Sequence, residues 1–322
     1  MTMNLEQLTG FVEVARLGSF TRAAEELHLA QPSLSRQIAS LEQDLGAELL
    51  HRARSGSTPT SAGELLLPLA RRMLADAESV RRELAELAGL ERGRVRLGAT
   101  PTLCISLVAE VLNAFHAAHP AIELHLAEDG SRSLFDRLAR GELDLALVTT
   151  STAAVVGAFT VTPLLVEELV VVSSAARPPL ADGDAIGLAA VAGLPQIVFN
   201  SSYDLRRTTD AAFAAAGLEP DVVLEGAEMD AVLRFAERGL GVAIVPAMVL
   251  QGRPGLRSIR LEEPVLRRTI SLARPADLAP TAAVRVMQRT IAATARAFAE
   301  GAGGTMRPAG PQSERAPARS RA

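Results

Sequence analysis

Apolar residues recur at helical spacing from the start of the chain, at Leu5, Leu8, Phe11, Val12 and Ala15. Gly18-Ser19 then closes that helix and caps a second, whose buried face is Phe20, Ala23, Ala24 and Leu27. Pro32 fits the first turn of a third helix, where a missing N–H costs nothing, and Leu34, Ile38, Leu41 and Leu45 follow as its core stripe. Opposite that stripe lie Pro32, Arg36, Ala39, Ser40 and Gln43, with Ser33 and Ser35 on the flanks. Gly46 ends the helix, and His51 to Thr60 has the Gly, Ser and Pro content of a hairpin, with Arg52 and Arg54 at its start. Two helices joined by a tight turn and followed by a hairpin make a winged helix-turn-helix, whose second helix is the part a DNA major groove accepts.

Ser61-Ala62-Gly63-Glu64 reads as a capping box. The helix it opens has apolar residues at Leu66, Ala70, Met73, Ala77, Val80, Leu84 and Leu87, alternating by four and three. That narrow seam, flanked by Arg71, Arg72, Asp76, Glu78, Arg81, Arg82 and Glu83, predicts pairing with a second helix. A surface helix docked on its own domain is the alternative. Pro68 predicts a kink in the second turn.

From Gly93 onward strand patterns alternate with helical ones: Val95 to Gly98, Leu107 to His116, Ile122 to Glu128, Leu134 to Arg140 and Leu143 to Thr149. The alternation continues with Leu169 to Ser173, Gln196 to Phe199, Arg206 to Ala216, Val222 to Glu225, Met229 to Arg238, Gly241 to Val245, Thr269 to Ala273 and Thr281 to Phe298. This predicts a parallel α/β architecture. Gly301 to Ala322 lacks periodicity and is rich in Gly, Pro, Ala and Arg, so disorder is expected there.

Composition narrows the classes. With 48% hydrophobic and 22% charged residues over 322, the chain reads as an ordinary globular protein of two or three units. No apolar run approaches the roughly 20 residues that span a bilayer, and Met1 to Gly10 lacks the pattern of a signal peptide, so a cytoplasmic protein without a membrane partner is expected. Cys104 is the single cysteine, read as a buried inert thiol; it leaves no intramolecular disulfide and no cysteine-based zinc site. Net charge is −4, and the first 61 residues carry five arginines against seven acids. DNA contact must therefore come from locally placed arginines and from duplication of the reading head.

The run Phe20-Thr21-Arg22-Ala23-Ala24, Gln31-Pro32-Ser33-Leu34-Ser35-Arg36-Gln37-Ile38, Leu41-Glu42, Leu45-Gly46, Arg52 and Thr60-Ser61-Ala62-Gly63 resembles the LysR-type transcriptional regulators. Arg96-Leu97-Gly98, Gly141 to Ala146 and Gly239 to Pro246 resemble that family's effector domain. The resemblance implies a winged helix-turn-helix (1–61), a linker helix that pairs subunits (62–92) and a two-lobed effector domain like periplasmic binding proteins (93–300). Lobe I would span 93–163 and 268–300, lobe II 164–267, with hinges near Pro163 to Glu167 and Pro264 to Thr269. Implied partners are double-stranded DNA carrying an interrupted inverted repeat, a small effector, and further copies of the chain as a dimer of dimers; RNA polymerase is a candidate partner. Ala30 departs from the family, which often has a serine before Gln-Pro, and removes a cap.

The chemistry of the third helix agrees. Arg36 is placed for bidentate contact to guanine, Gln31 to adenine, and Ser33 and Ser35 to base edges or phosphates beside Pro32. Arg52 and Arg54 on the wing suit phosphates. In the second half, ligands of an open sheet sit beyond strand ends, where helix N-termini favour anions. Thr100, Thr102, Ser131, Thr149, Asn200 and Ser201 occupy such ends and, with the family's inducer site carried over, form the candidate effector set; Glu228 and Met229 are further candidates. No cofactor is implied. His116, His119 and His125 lack a completing carboxylate cluster, and Gly239-Leu240-Gly241 enters a strand instead of leaving one. A solute-binding protein of the periplasmic class and an α/β small-molecule enzyme are the competing readings; no acid-base pair at a strand end supports the latter.

Overall fold

Three amphipathic helices close on one another to make the N-terminal unit. In the computed structural model, residues 3–53, 56–87, 93–150, 158–201, 203–226, 228–301 and 304–309 are described. Helix α1 (Leu5–Leu17) begins at Asn4, whose side chain accepts from Gln7 N at 2.9 Å while Gln7 Oε1 accepts from Asn4 N at 2.9 Å. Ser19 caps α2 (Phe20–Glu26), and α3 (Gln31–Leu45) starts from Ala30. Leu8, Phe11, Val14, Ala23, Ala24, Leu34, Ile38 and Leu41 are buried in one cluster, while Leu5 and Leu45 at the ends of their helices are exposed.

Strands β1 (Leu50–Ala53) and β2 (Gly56–Pro59) form the expected antiparallel hairpin. Ser57 N donates to Gly18 O at 2.8 Å, and Gly56 at φ +137° would place a Cβ 2.9 Å from that same oxygen. Only glycine lets the hairpin lie this close to the end of α1. The following helix, α4 (Ser61–Leu87), is capped by Thr60 and not by Ser61: Thr60 Oγ1 accepts from Gly63 N at 3.1 Å and donates to Glu48 O at 2.6 Å. One hydroxyl thereby starts the helix and ties it to the base of the wing. Pro68 lies inside α4 without ending it.

The expected seam on α4 divides between two faces. Leu66 and Ala70, with Leu67 and Leu74, pack onto the winged helix of their own chain. Leu65, Leu69, Met73 and Val80 are instead exposed, at 75%, 54%, 40% and 57%. The helix must cover its own domain first, so Leu66 and Ala70 of the expected seam turn inward, while the outward stripe keeps Met73 and Val80 and adds Leu65 and Leu69. The side chains of Leu84 and Leu87 lie outside the described residues.

The second unit runs β3 (Arg94–Ala99), α5 (Pro101–Leu103), a π-helical turn (Cys104–Val108), α6 (Ala109–Ala118), β4 (Glu123–Glu128), α7 (Ser131–Ala139), β5 (Leu145–Thr150) and β6 (Phe159–Ser174). It continues through β7 (Ala185–Gly187), α8 (Leu188–Ala192), β8 (Gln196–Val198), α9 (Asp204–Ala215), β9 (Val222–Glu225), α10 (Met229–Glu237), β10 (Ala243–Pro246) and a 3₁₀ turn (Ala247–Leu250). Strands β11 (Leu256–Glu262) and β12 (Arg267–Pro275), α11 (Ala282–Gly301) and β13 (Met306–Pro308) complete it. Strands β4, β3 and β5 are parallel, but β12 runs antiparallel to β5 and to β6, and β6 antiparallel to β10 and β11.

The sheet is therefore mixed, which corrects the expectation of a parallel one. The expected short strand at Leu169–Ser173 is the far half of the long β6, which carries the chain out of the first half of the sheet; β12 returns beside it. Their register slips between Ile270 and Ser271, leaving out Leu164 beside Pro163, which has no N–H for the ladder. The short elements β7, α8, β11 and β13 carry too little periodicity to be seen in the sequence.

Order also extends beyond Gly301. Strand β13 pairs with Leu165–Glu167, Met306 is buried, and Ala309 N donates to the bulged Leu164 O at 3.0 Å. The expectation of disorder is thus wrong for 304–309; residues 310–322 lie outside the described residues. The helical stretch Pro101–Ala118 is, among the described residues, long and apolar enough to cross a membrane. Its Leu103, Leu107, Val108, Val111 and Phe115 are instead fully buried in the core shared by both halves of the sheet.

Candidate functional site

The outward face of α3 holds Gln31, Pro32 and Arg36 exposed, with Ser33 and Ser35 half-buried. Ala30 N-terminal to it makes no side-chain cap bond, and neither Gln31 nor Ser33 replaces one. Ala30→Ser is therefore expected to stabilise the chain by about 1 kcal/mol, read as a raised unfolding midpoint. Arg36 Nε donates to Pro32 O at 3.2 Å, which holds the side chain along the first turn.

Arg52 crosses from the wing to the same helix. Its Nη1 donates to Ser35 Oγ at 3.1 Å, its Nη2 to Glu42 Oε2 at 3.3 Å, and its guanidinium lies 4.8 Å from the Phe20 ring centroid. Glu42 Oε1 accepts from Leu49 N at 2.9 Å and Leu50 N at 3.3 Å. Glu42 is the residue sequence reasoning missed: it fixes the wing against α3 by its backbone and through Arg52. Arg54 lies outside the described residues.

In the second unit a cavity of about 430 Å³ opens where the two halves of the sheet meet. Thr100, Thr102 and Thr149 line it, with Pro101, Gly130 and Leu169. Ser131, Asn200 and Ser201 are not among its described lining. Ser131 is spent on Thr149, with Thr149 N donating to Ser131 Oγ at 3.2 Å, so it orients a lining residue. Met229 is buried in the core, and Glu228 accepts from the Tyr203 hydroxyl.

The opposite wall comes from Tyr203, Asp204, Leu205 and Arg207 at the start of α9 and from Arg267 and Arg268 of β12. Tyr203 stacks on Phe199 at 5.4 Å between centroids. Burial first, then the Glu228 carboxylate, hold its phenol well above the ordinary value, so it is protonated at neutral pH. Register places Arg267 opposite Glu168 and Arg268 opposite Glu167. Glu168 accepts from Arg267 at 2.8 Å and from Arg260 at 3.1 Å. Glu167 is fully buried: its Oε2 accepts from Arg268 Nε at 2.8 Å and its Oε1 from Met248 N at 2.7 Å. Arg268 Nη1 donates to Thr102 Oγ1 at 2.8 Å. The adjacent Arg267-Arg268 pair at the second crossing was the sequence signal for these residues.

Cys104, at the start of the π-helical turn, has its thiol pushed up to about 12 by burial and then by Glu128. Alkylation by iodoacetamide at pH 8 is expected to run about a thousandfold slower than for a free cysteine, because the raised value removes thiolate. Labelling at the free-thiol rate would show that the thiol is not held this way.

Comparison with known proteins settles the family. Residues 5–64 match the model of the bacterial regulatory helix-turn-helix protein, lysR family, and residues 88–296 that of the LysR substrate binding domain. The chain belongs to the LysR family of transcriptional regulators. This LysR-type regulator is 33% identical over 278 residues to a probable nitrogen assimilation transcriptional activator of Synechococcus elongatus, covering 85% of this chain and 90% of that protein. It is 32% identical over 271 residues to the uncharacterized HTH-type transcriptional regulator YybE of Bacillus subtilis, covering 84% and 92%. A full-length OxyR variant from Pseudomonas aeruginosa shares its fold with a TM-score of 0.71 at 24% identity, over 92% of this chain and 95% of that one. Full-length CbnR in complex with its target DNA matches with a TM-score of 0.53 at 25% identity, over 91% and 100%. The LysR-type regulator thus joins a DNA-binding winged helix to a two-lobed effector-binding domain.

Proposed function

We propose that this regulator acts in the cytoplasm as a homotetramer, a dimer of dimers, on an interrupted inverted repeat, and that a small polar or anionic effector in the 430 Å³ cavity sets how its paired heads fit the DNA. The cavity carries the reading: it lies where β6 and β12 cross between lobes, so a ligand there acts on the relative orientation of 93–163 and 268–300 against 164–267. Gln31, Pro32, Ser33, Ser35 and Arg36 read or touch the groove, and Arg52 meets phosphate from the wing. The likeness to CbnR, solved with its target DNA, supports the docking of α3. Selection of duplexes from a random pool by the full-length chain is expected to enrich two inverted half-sites separated by a spacer. Enrichment of single, unpaired sites would overturn the paired-head reading.

Pairing is assigned to α4. Leu65, Leu69, Met73 and Val80 fall within one face about 80° wide at 100° per residue, and all four are exposed. A second copy's α4 is the partner that buries this stripe. The double variant Leu69→Glu/Met73→Glu is expected to sediment as a monomer and to lose operator binding, since a head with so little positive charge depends on duplication. An unchanged sedimentation coefficient would move the interface elsewhere.

A further inference from the structure

We propose that the C-terminal strand β13 is a splint that confines the pivot between the lobes to the peptide joining Glu168 and Leu169 of β6. The inference rests on the reading that the lobes rotate about β6 and β12, and it names the residues that decide where they bend.

Strand β6 changes partners on both of its edges at that peptide. On one edge the β12 ladder begins at Arg267 opposite Glu168, and the β11 ladder ends at Arg260 opposite Val170, with Leu169 N donating to Leu266 O at 2.9 Å between them. On the other edge β10 ends at Pro246 opposite Leu169. There β13 takes over, with Thr305 O accepting from Glu168 N at 2.8 Å and Met306 opposite Glu167. Strands β10 and β13 thus lie end to end, yet no peptide joins them: Pro246 passes into the 3₁₀ turn, and Met306 follows α11.

A second weak point lies four residues earlier in β6, where the register with β12 slips and leaves Leu164 bulged. Strand β13 spans the interval between the two. Ala309 N donates to Leu164 O at 3.0 Å at one end, and Glu168 N donates to Thr305 O at the other. Bonded pairs alternate in an antiparallel ladder, so Arg307 opposite Val166 is the bonded pair between them. Pro308, which has no N–H, stands opposite Leu165 where none is needed. The Met306 side chain is buried in the core and holds the strand down, while Arg307 and Pro308 are exposed.

With β13 in place the bulge is bridged and β6 is braced on both edges up to Glu168. Without it the backbone groups of Leu164, Val166 and Glu168 on that edge lose their partners, and β6 bends over the whole interval. No residue of β13 is among the described lining of the cavity. The splint therefore acts on how a ligand-driven rotation is focused, and not on the contacts that hold the ligand.

The test compares Arg307→Pro with Arg307→Ala in the full-length chain. The first removes the N–H that faces β6; the second removes an exposed side chain and keeps the ladder. Residue-resolved hydrogen exchange of Arg307→Pro is expected to show the Val166 and Glu168 amides exchanging at least about 10-fold faster, while Leu165 and Glu167, which face β12, keep their protection. Spin labels at Asp136→Cys in α7 and Glu219→Cys in lobe II, both exposed, read the distance between lobes by double electron–electron resonance, in a Cys104→Ser background diluted with unlabelled chain. The distance distribution is expected to broaden in Arg307→Pro and not in Arg307→Ala. Should Arg307→Pro fail to fold, Met306→Ala, which weakens the anchor and leaves the backbone intact, is read in its place. Unchanged exchange at Val166 and Glu168, equal broadening in Arg307→Ala, or faster exchange with an unchanged distance distribution overturns the proposal. Glu167→Gln, which neutralises the tie from β6 to Arg268 and to Met248 N, separates the two readings. A distribution that shifts in Glu167→Gln but not in Arg307→Pro keeps the pivot and removes only the splint; one indifferent to both removes the pivot as well.

Discussion

Arg36→Ala is expected to lower affinity for the selected operator by about 10- to 100-fold while changing affinity for random duplex only a few-fold, because a bidentate base contact is worth about 1–3 kcal/mol of discrimination. Arg36 is exposed in the first turns of α3, and its bond within the chain is to Pro32 O, so its loss leaves the helix intact. Arg52→Ala is expected to behave differently. It removes the cation proposed to meet phosphate, and it also releases Ser35 and Glu42. Both operator and random DNA should then weaken together, with a shallower salt dependence. Gel shifts on the two duplexes at several salt concentrations separate these outcomes. Equal losses on both for Arg36→Ala would reassign it to the phosphate backbone.

Glu167→Ala is expected to cost about 3–5 kcal/mol of stability in the effector domain. The carboxylate is fully buried and holds two donors at once, Arg268 Nε and Met248 N. Removing it leaves a cation and a backbone amide without partners inside the protein. Urea unfolding followed by circular dichroism measures the loss. Glu123→Ala is the fitting control, since Glu123 pairs with His125 at the surface and its removal should change little. A loss below about 1 kcal/mol for Glu167→Ala would mean that water or a neighbour replaces the carboxylate and that the crossing is not held by this pair.

Much of the reading head was legible because its signals are local. The core stripe Leu34, Ile38 and Leu41 and the outward Gln31, Pro32 and Arg36 follow from a fixed angle per residue, which no tertiary contact alters. Thr60 shows the limit of that locality: Ser61 offers the better motif, yet the cap goes to the hydroxyl that also reaches Glu48 O. The linker seam shows the same limit. A four-three pattern states that a face is apolar, but whether Leu66 turns to its own domain or to another chain depends on where the winged helix already sits.

In the effector domain, strand-end threonines found in the sequence do line the cavity at Thr100, Thr102 and Thr149. Ser131 looked equivalent and is bonded to Thr149 instead. By itself the sequence determined the winged helix, the alternation of strands and helices, and the hydroxyl-bearing strand ends, all set by periodicity and short-range chemistry. Only the tertiary structure decided that β6 and β12 run side by side in antiparallel register, which brings Glu167 to Arg268 across 101 residues and Arg268 to Thr102 across 166. The reason is that a charge chooses its partner by distance in space, and that distance is fixed by strand register, which no local pattern in either segment encodes.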